Sequence, residues 1–282
     1  MPTKTENGTR LIRQSLTLLK QHKRLFVFPV LGYICKYIIF VLIAIPFLHK
    51  KELAIVQHHL PPQYILLIIV GFMVLLFVIN LILFFFNSAI IENLLQFIKT
   101  GKEANVAYGF KCALKSYGRV YLWALYAATY GVIVNLIPRS SKSFTRVQAK
   151  LHNNHWTIAS LFSLTQVIDK KYGPIKSLDV SSQLVHQSWG ERLQPRFSFA
   201  LYIFLLRTAA FIPLLIGAIN GTHLVLLITG CVTVFFLLLI STFYQIINTT
   251  WRVVTYCYAS EGIVAAPFEK EHLDKLFRTR PY

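Results

Sequence analysis

The chain has 282 residues, 55% of them hydrophobic and 14% charged, with a mean hydropathy of +0.54 and a formal net charge of +18. A soluble globular protein carries about 25% charged residues, so the composition excludes an ordinary soluble enzyme, and its apolar content excludes a disordered chain. The 29 Lys and Arg against 11 Asp and Glu sit in short segments between apolar runs, the pattern of anchoring to anionic lipid. No zinc finger, basic zipper or RNA-binding aromatic motif accompanies them, so no nucleic acid is expected as a partner.

In chain order, a polar, basic N-terminus containing Lys4, Arg10, Arg13 and Lys20 leads into the first apolar run, about 25–48. That run is too long for a signal-peptide core and is expected to be a retained span. It contains Lys36 near its middle, and Pro29 marks its entry or a kink. After a polar loop ending in Pro61-Pro62, the second span covers 62–86, with 22 uncharged residues over 65–86. At 1.5 Å per residue these give about 33 Å, enough for the hydrocarbon core. The helix is expected to continue through Asn87, Glu92 and Phe97 until Thr100-Gly101 stops it.

Residues 103–118 predict an amphipathic helix, with Val106, Phe110, Ala113 and Leu114 on one face and Lys111 and Lys115 on another. A third span, 120–137, is rich in Tyr and Trp. The fourth, 151–168, is short and rests mainly on charge parity. A further helix is expected to start near Ser177 or Asp179, with Leu178, Leu184, Val185 and Trp189 as its apolar members. The fifth span, 197–219, holds Arg207 and a kink at Pro213; Asn220-Gly221 makes a turn, and the sixth span covers 224–247. Its helix is expected to run on towards Tyr258 before Gly262 and Pro267, leaving a charged tail over 252–282.

With both termini inside, 21 Lys and Arg fall in inner segments, six in outer loops, and two, Lys36 and Arg207, within spans. That asymmetry fits the positive-inside rule. The fold class is therefore all-α, a single polytopic membrane domain of about six spans. The similar stretches around Ser15, Ser116 and Ser188 suggest three transmembrane hairpins, each preceded by an amphipathic cytoplasmic helix.

Chemistry is sparse. The cysteines, Cys35, Cys112, Cys231 and Cys257, have neither disulfide-framework nor metal spacing. His58-His59 and the pair His152 and His155 lack a nearby carboxylate or Cys, and no phosphate loop or nucleophile elbow occurs. No catalytic residue, metal or cofactor is therefore assigned. No acid lies inside a span, which argues against proton coupling. Lys36 and Arg207 are the candidate intramembrane contacts for an anion or a lipid headgroup, while Asn80, Asn87, Gln245 and Asn248 read as interhelical hydrogen bonds. Glu191, beside Trp189-Gly190, reads as architectural.

Ser15 with Leu25–Pro29, Phe86-Asn87-Ser88-Ala89, Ser188-Trp189-Gly190-Glu191, and Tyr256-Cys257-Tyr258-Ala259 with Gly262 and Pro267-Phe268 together resemble a bacterial family of uncharacterised six-span integral membrane proteins, a domain of unknown function. Where that resemblance implies Pro and Glu after the fourth span, this chain has Gln166 and Asp169. A fainter similarity is to the membrane domain of glycerophosphodiester phosphodiesterases, whose catalytic domain has no counterpart here. The resemblance implies a bacterial inner-membrane location and supplies no activity. Three functions stay open: a non-enzymatic protein that binds or organises anionic lipid, a membrane partner or a second copy of itself; a permease for an anionic or lipid-like substrate; and a membrane-embedded enzyme acting on lipid.

Overall fold

The computed structural model describes residues 4–48, 62–136, 155–189, 193–195, 200–220, 222–274 and 277–279. The protein is largely helical. Helix α1 spans Lys4–Gln21, and a 3-10 turn over Lys23–Phe26 leads into α2, Val27–Leu48. Pro29 falls in the first turn of α2, where a missing N–H costs nothing. Helix α3, Pro62–Thr100, runs for 39 residues, about 58 Å. It stops where the sequence places the break: Gly101 adopts φ 69° and its N–H bonds Phe97 O at 2.8 Å.

Helix α4, Val106–Leu136, is capped by Asn105, whose Oδ1 accepts from the N–H groups of Ala107 and Tyr108. The amphipathic segment and the third span are thus one continuous helix. Its buried face runs through Gly109, Ala113, Ser116 and Val120, while Leu114, expected on that face, is 66% exposed.

Helix α5, His155–Asp169, forms a tight antiparallel pair with α6, Pro174–Trp189. The latter begins earlier than its apolar residues suggest, because Pro174 is pre-organised for the first helical position. Small Ser177 and Ser181 are fully buried beneath it, and Phe162 N–H donates to Ser181 Oγ at 3.1 Å. Strand β1, Leu193–Pro195, pairs antiparallel with β2, Phe277–Thr279, in a short two-stranded ribbon that the sequence does not announce.

The fifth apolar run is split into α7, Ala200–Ala209, and α8, Ile212–Asn220. Pro213 explains the break: it supplies no N–H and its ring crowds the carbonyl four residues back, on Ala209. Helix α9, His223–Glu261, again has 39 residues and ends at Gly262 (φ 69°), with Gly262 N–H bonding Tyr258 O and Ile263 N–H bonding Cys257 O. A short α10, Lys270–Asp274, follows.

Four described segments are long and apolar enough to cross a membrane: Lys23–Leu42, Ile68–Thr100, Tyr202–Ile219 and Leu224–Glu261. The protein is a multi-pass, all-α membrane protein. The expected spans 120–137 and 151–168 are not among these four, and part of each lies outside the described residues.

The molecule divides into two layers. In the apolar band, Phe40, Phe72, Phe204 and Leu227 are all more than half exposed. In the base, residues 86–95 of α3 and 246–257 of α9 pack with α1, the start of α4, α5 and α6 around a common core that includes Leu18, Ile90, Phe162 and Val254. An exposed apolar band of this kind is stable in lipid and not in water, whereas the base is buried as a soluble core is.

The base closes at its far end in an ion cluster. Lys99 Nζ donates to both Asp169 oxygens at 2.9 and 3.0 Å and to Glu261 Oε1 at 2.7 Å. Lys170 Nζ reaches Glu261 Oε1 at 3.1 Å, and the Tyr256 hydroxyl donates to Asp169 Oδ2 at 2.8 Å. Burial works to raise the Asp169 carboxyl, but the hydrogen bonds from Lys99 and Tyr256 and the charges of Lys99 and Lys170 outweigh it and hold the group below its ordinary value.

Candidate functional site

A cavity of about 170 Å³ lies where band and base meet. Five long or buried helices and α7 wall it: Tyr33 from α2, Asn87 from α3, Trp123 from α4, Thr165 from α5, Arg207 from α7, and a series from α9. The α9 series is Tyr244, Gln245, Asn248, Thr249 and Arg252. Four of these, at 245, 248, 249 and 252, follow the i, i+3, i+4, i+7 spacing of one helix face. A polar stripe directed into a bundle is held by packing on both sides; here buried Ile246, Val253 and Val254 fix the helix in the base.

The cavity is cationic, and its lining is mixed, with Phe84, Ile91, Leu161 and Val253 beside the polar side chains. Arg207 and Arg252 both line it, and among the described residues no carboxylate does. Among the described residues neither guanidinium has an ion-pair partner. Arg252 Nε and Gln245 Oε1 are buried without a hydrogen-bond partner there. A buried, unpaired polar atom costs about 1–3 kcal/mol, and more when charged, so these atoms are costly unless a ligand engages them. The Arg207 guanidinium lies 5.7 Å from the centre of the Tyr244 ring, a cation–π contact that fixes one cation against the wall. Thr249 Oγ1 donates to Asn87 Oδ1 at 2.6 Å and ties α9 to α3. Trp251 Nε1 donates to Asn248 Oδ1 at 3.0 Å.

Of the residues singled out in the sequence, Arg207 and Asn87 meet in this cavity. Lys36 does not line it: its Nζ lies 5.8 Å from the ring centres of both Tyr33 and Tyr37, of which Tyr33 is a wall residue. Arg207 stands in the sixth position of the apolar segment Tyr202–Ile219, nearer the base than the middle of the span. The structure adds Arg252, which the sequence reading placed in the inner tail. The helical spacing of Gln245, Asn248, Thr249 and Arg252 was the signal for it. Asn80 bonds Leu76 O within its own helix and takes no part.

Trp189 serves the base. Its Nε1 donates to Leu273 O at 2.9 Å, and its ring packs against Phe162 and Tyr258. The tail thereby docks on α6, with Leu273 fully buried and the Tyr258 hydroxyl donating to Asp274 Oδ1. Ser188 is exposed, and Gly190 and Glu191 lie outside the described residues, as do His58, His59 and His152. Among the described residues no three His, Cys, Asp or Glu gather as metal ligands, and all four cysteines are free.

Residues 63–266 match the model of a family of unknown function, DUF6159, and the chain belongs to that family. No curated protein and no solved structure matches it.

Proposed function

We propose that this protein is a non-enzymatic membrane protein that binds an anionic headgroup at the junction of its apolar band and its base. The single observation that supports the reading is that Arg207 and Arg252 line one cavity whose other polar groups are mainly amides and hydroxyls, with no acid among the described residues. Two guanidiniums present fork-shaped donors suited to a phosphate or carboxylate. At about 4 Å and an effective dielectric near 20, each such contact is worth roughly 4 kcal/mol before desolvation is subtracted.

The volume supports a headgroup rather than a larger solute. At about 30 Å³ per water molecule, 170 Å³ holds roughly six waters, whereas pockets for drug-sized ligands run to about 300–1,000 Å³. The position supports a lipid-facing role, since the cavity sits at the edge of the exposed apolar band. With the base on the cytoplasmic side, as the distribution of positive charge favours, that edge is the level of the inner-leaflet headgroups.

Thermal unfolding in zwitterionic detergent tests the reading. Added phosphatidylglycerol should raise the melting temperature, and phosphatidylcholine should not. Arg252→Gln or Arg207→Gln should keep a cooperative transition and weaken the lipid effect by about tenfold or more, the consequence of removing one partner of an enclosed charge pair. Equal stabilisation by both lipids, or an effect that survives both substitutions, would contradict it.

A further inference from the structure

A second concavity, of about 390 Å³, lies between α7 and α9 on the apolar band. Its walls are aliphatic and aromatic, among them Ile203, Leu206, Leu239, Ile240 and Phe243. It shares one wall residue, Tyr244, with the arginine cavity. Arg207 directly follows Leu206, a wall of the groove, and itself lines the cavity. Tyr244 and the Arg207 guanidinium that stacks on it therefore form the border between a cationic chamber and an apolar channel.

We infer that the two concavities hold one molecule, an anionic glycerophospholipid of the surrounding leaflet, with its phosphate between Arg207 and Arg252 and an acyl chain along the α7–α9 groove. The inference rests on the headgroup reading and narrows it, because a soluble anion would use the first chamber alone. Three features commit the occupant to a lipid. The groove opens on a face of the protein that is itself exposed to lipid, as Leu206, Phe236 and Phe243 are exposed. Its polarity changes at the same border as the polarity of a phospholipid changes below its phosphate. The charge of the chamber is complementary to a phosphodiester and opposed to a free amine. A chain already in the bilayer gains by packing against the groove walls rather than by leaving water, so it adds to headgroup affinity only when the chain and headgroup sites are continuous.

The test separates the two readings. The full-length protein in zwitterionic nanodiscs is titrated with phosphatidylglycerol and, separately, with glycerol 3-phosphate, which has the anionic headgroup and no chain. Ile240→Trp fills the groove without touching either arginine; Arg252→Gln removes a phosphate contact. The expected result is that Ile240→Trp weakens phosphatidylglycerol binding about tenfold and leaves glycerol 3-phosphate unchanged, while Arg252→Gln weakens both. If Ile240→Trp leaves phosphatidylglycerol binding intact and Arg252→Gln still weakens it, the acyl groove is wrong and the headgroup reading stands. If neither compound responds to Arg252→Gln, both are wrong. As an independent readout, phosphatidylglycerol carrying a photoreactive acyl chain should label α7 and the 236–247 stretch of α9 in preference to the exposed face around Phe40 and Phe72; uniform labelling of all exposed apolar faces overturns the inference.

Discussion

Helices α3 and α9 each pass through both layers, and the two halves of each make an instructive contrast. Ile68, Phe72 and Val74 in the first half of α3 are about half exposed, while Ala89, Ile90 and Leu94 in the second half are fully buried. Helix α9 repeats the change, from exposed Leu227 and Phe235 to buried Ile246, Val253 and Val254. The apolar residues occur in both halves, so an apolar residue does not by itself tell lipid contact from protein core. The polar residues do. Ser88 and Asn93 in α3 and Thr249, Thr250 and Thr255 in α9 are buried in the base, and each finds a partner, as Asn93 does in Ala89 O and Asn105 N–H. Ser88, Thr250 and Thr255 bond a carbonyl one turn back in their own helix, and Thr249 and Asn93 also reach other segments, so these buried groups are satisfied rather than left costly. The arginine cavity occupies the level at which one regime gives way to the other.

The largest test of this contrast compares two phenylalanines. Phe162 is fully buried among Trp189 and Tyr256, whereas Phe40 is 63% exposed. Phe162→Ala should cost about 3–5 kcal/mol and Phe40→Ala no more than about 0.5 kcal/mol, read from unfolding in a single detergent. Equal costs would mean that the two layers are not packed differently.

Two glycines give the next effect. A Cβ on Gly109 would meet Asn93 Nδ2 and lie 2.5 Å from Phe28 Cζ, both buried in the base, whereas a Cβ on Gly71 would meet nothing within 4 Å. Gly109→Ala should destabilise by about 1–3 kcal/mol. Gly71→Ala should stabilise by up to about 1 kcal/mol, because alanine loses less conformational freedom in a helix interior. Opposite signs from one chemical change sharpen the distinction, and matching signs remove it.

The smallest effect comes from the ion cluster. Asp169 has its folded value below the ordinary 3.8, so the unfolded state binds a proton more readily. Its contribution is present above pH 4 and is lost as pH falls through the folded value. Asp169→Asn should cost about 1–2 kcal/mol at neutral pH, with rim exposure to water moderating the loss. The difference in melting temperature between wild type and variant should shrink as pH falls from 5 to 3; a constant difference would show that the carboxylate's charge does not hold the base together.

Much of the helical order was legible in the sequence. The end of α3 at Thr100-Gly101, the run of α9 past Tyr258 and the break before Pro213 follow from local rules about glycine and proline that hold in lipid and in water alike. The join of the amphipathic segment to the third span was less legible, because Gly118 and Arg119 look like a boundary and are instead an exposed and a half-buried position in a continuous helix. The pairing of α5 with α6 depends on buried serines, which no hydropathy pattern marks. At the site, Arg207 stood out because a charge inside an apolar run is rare. Arg252 did not, since it lies among the polar residues that follow the last span, and only the fold brings it to the cavity that Arg207 also lines.

The most direct test of the central claim is native mass spectrometry of the protein released from bilayers that contain phosphatidylcholine and phosphatidylglycerol in equal amounts. One retained phosphatidylglycerol per chain is expected, lost in Arg207→Gln and Arg252→Gln and kept in Lys36→Gln, whose Nζ lies over Tyr33 and Tyr37 and does not line the cavity. Retention of both lipids in proportion to the bilayer, unchanged by either arginine substitution, would contradict it.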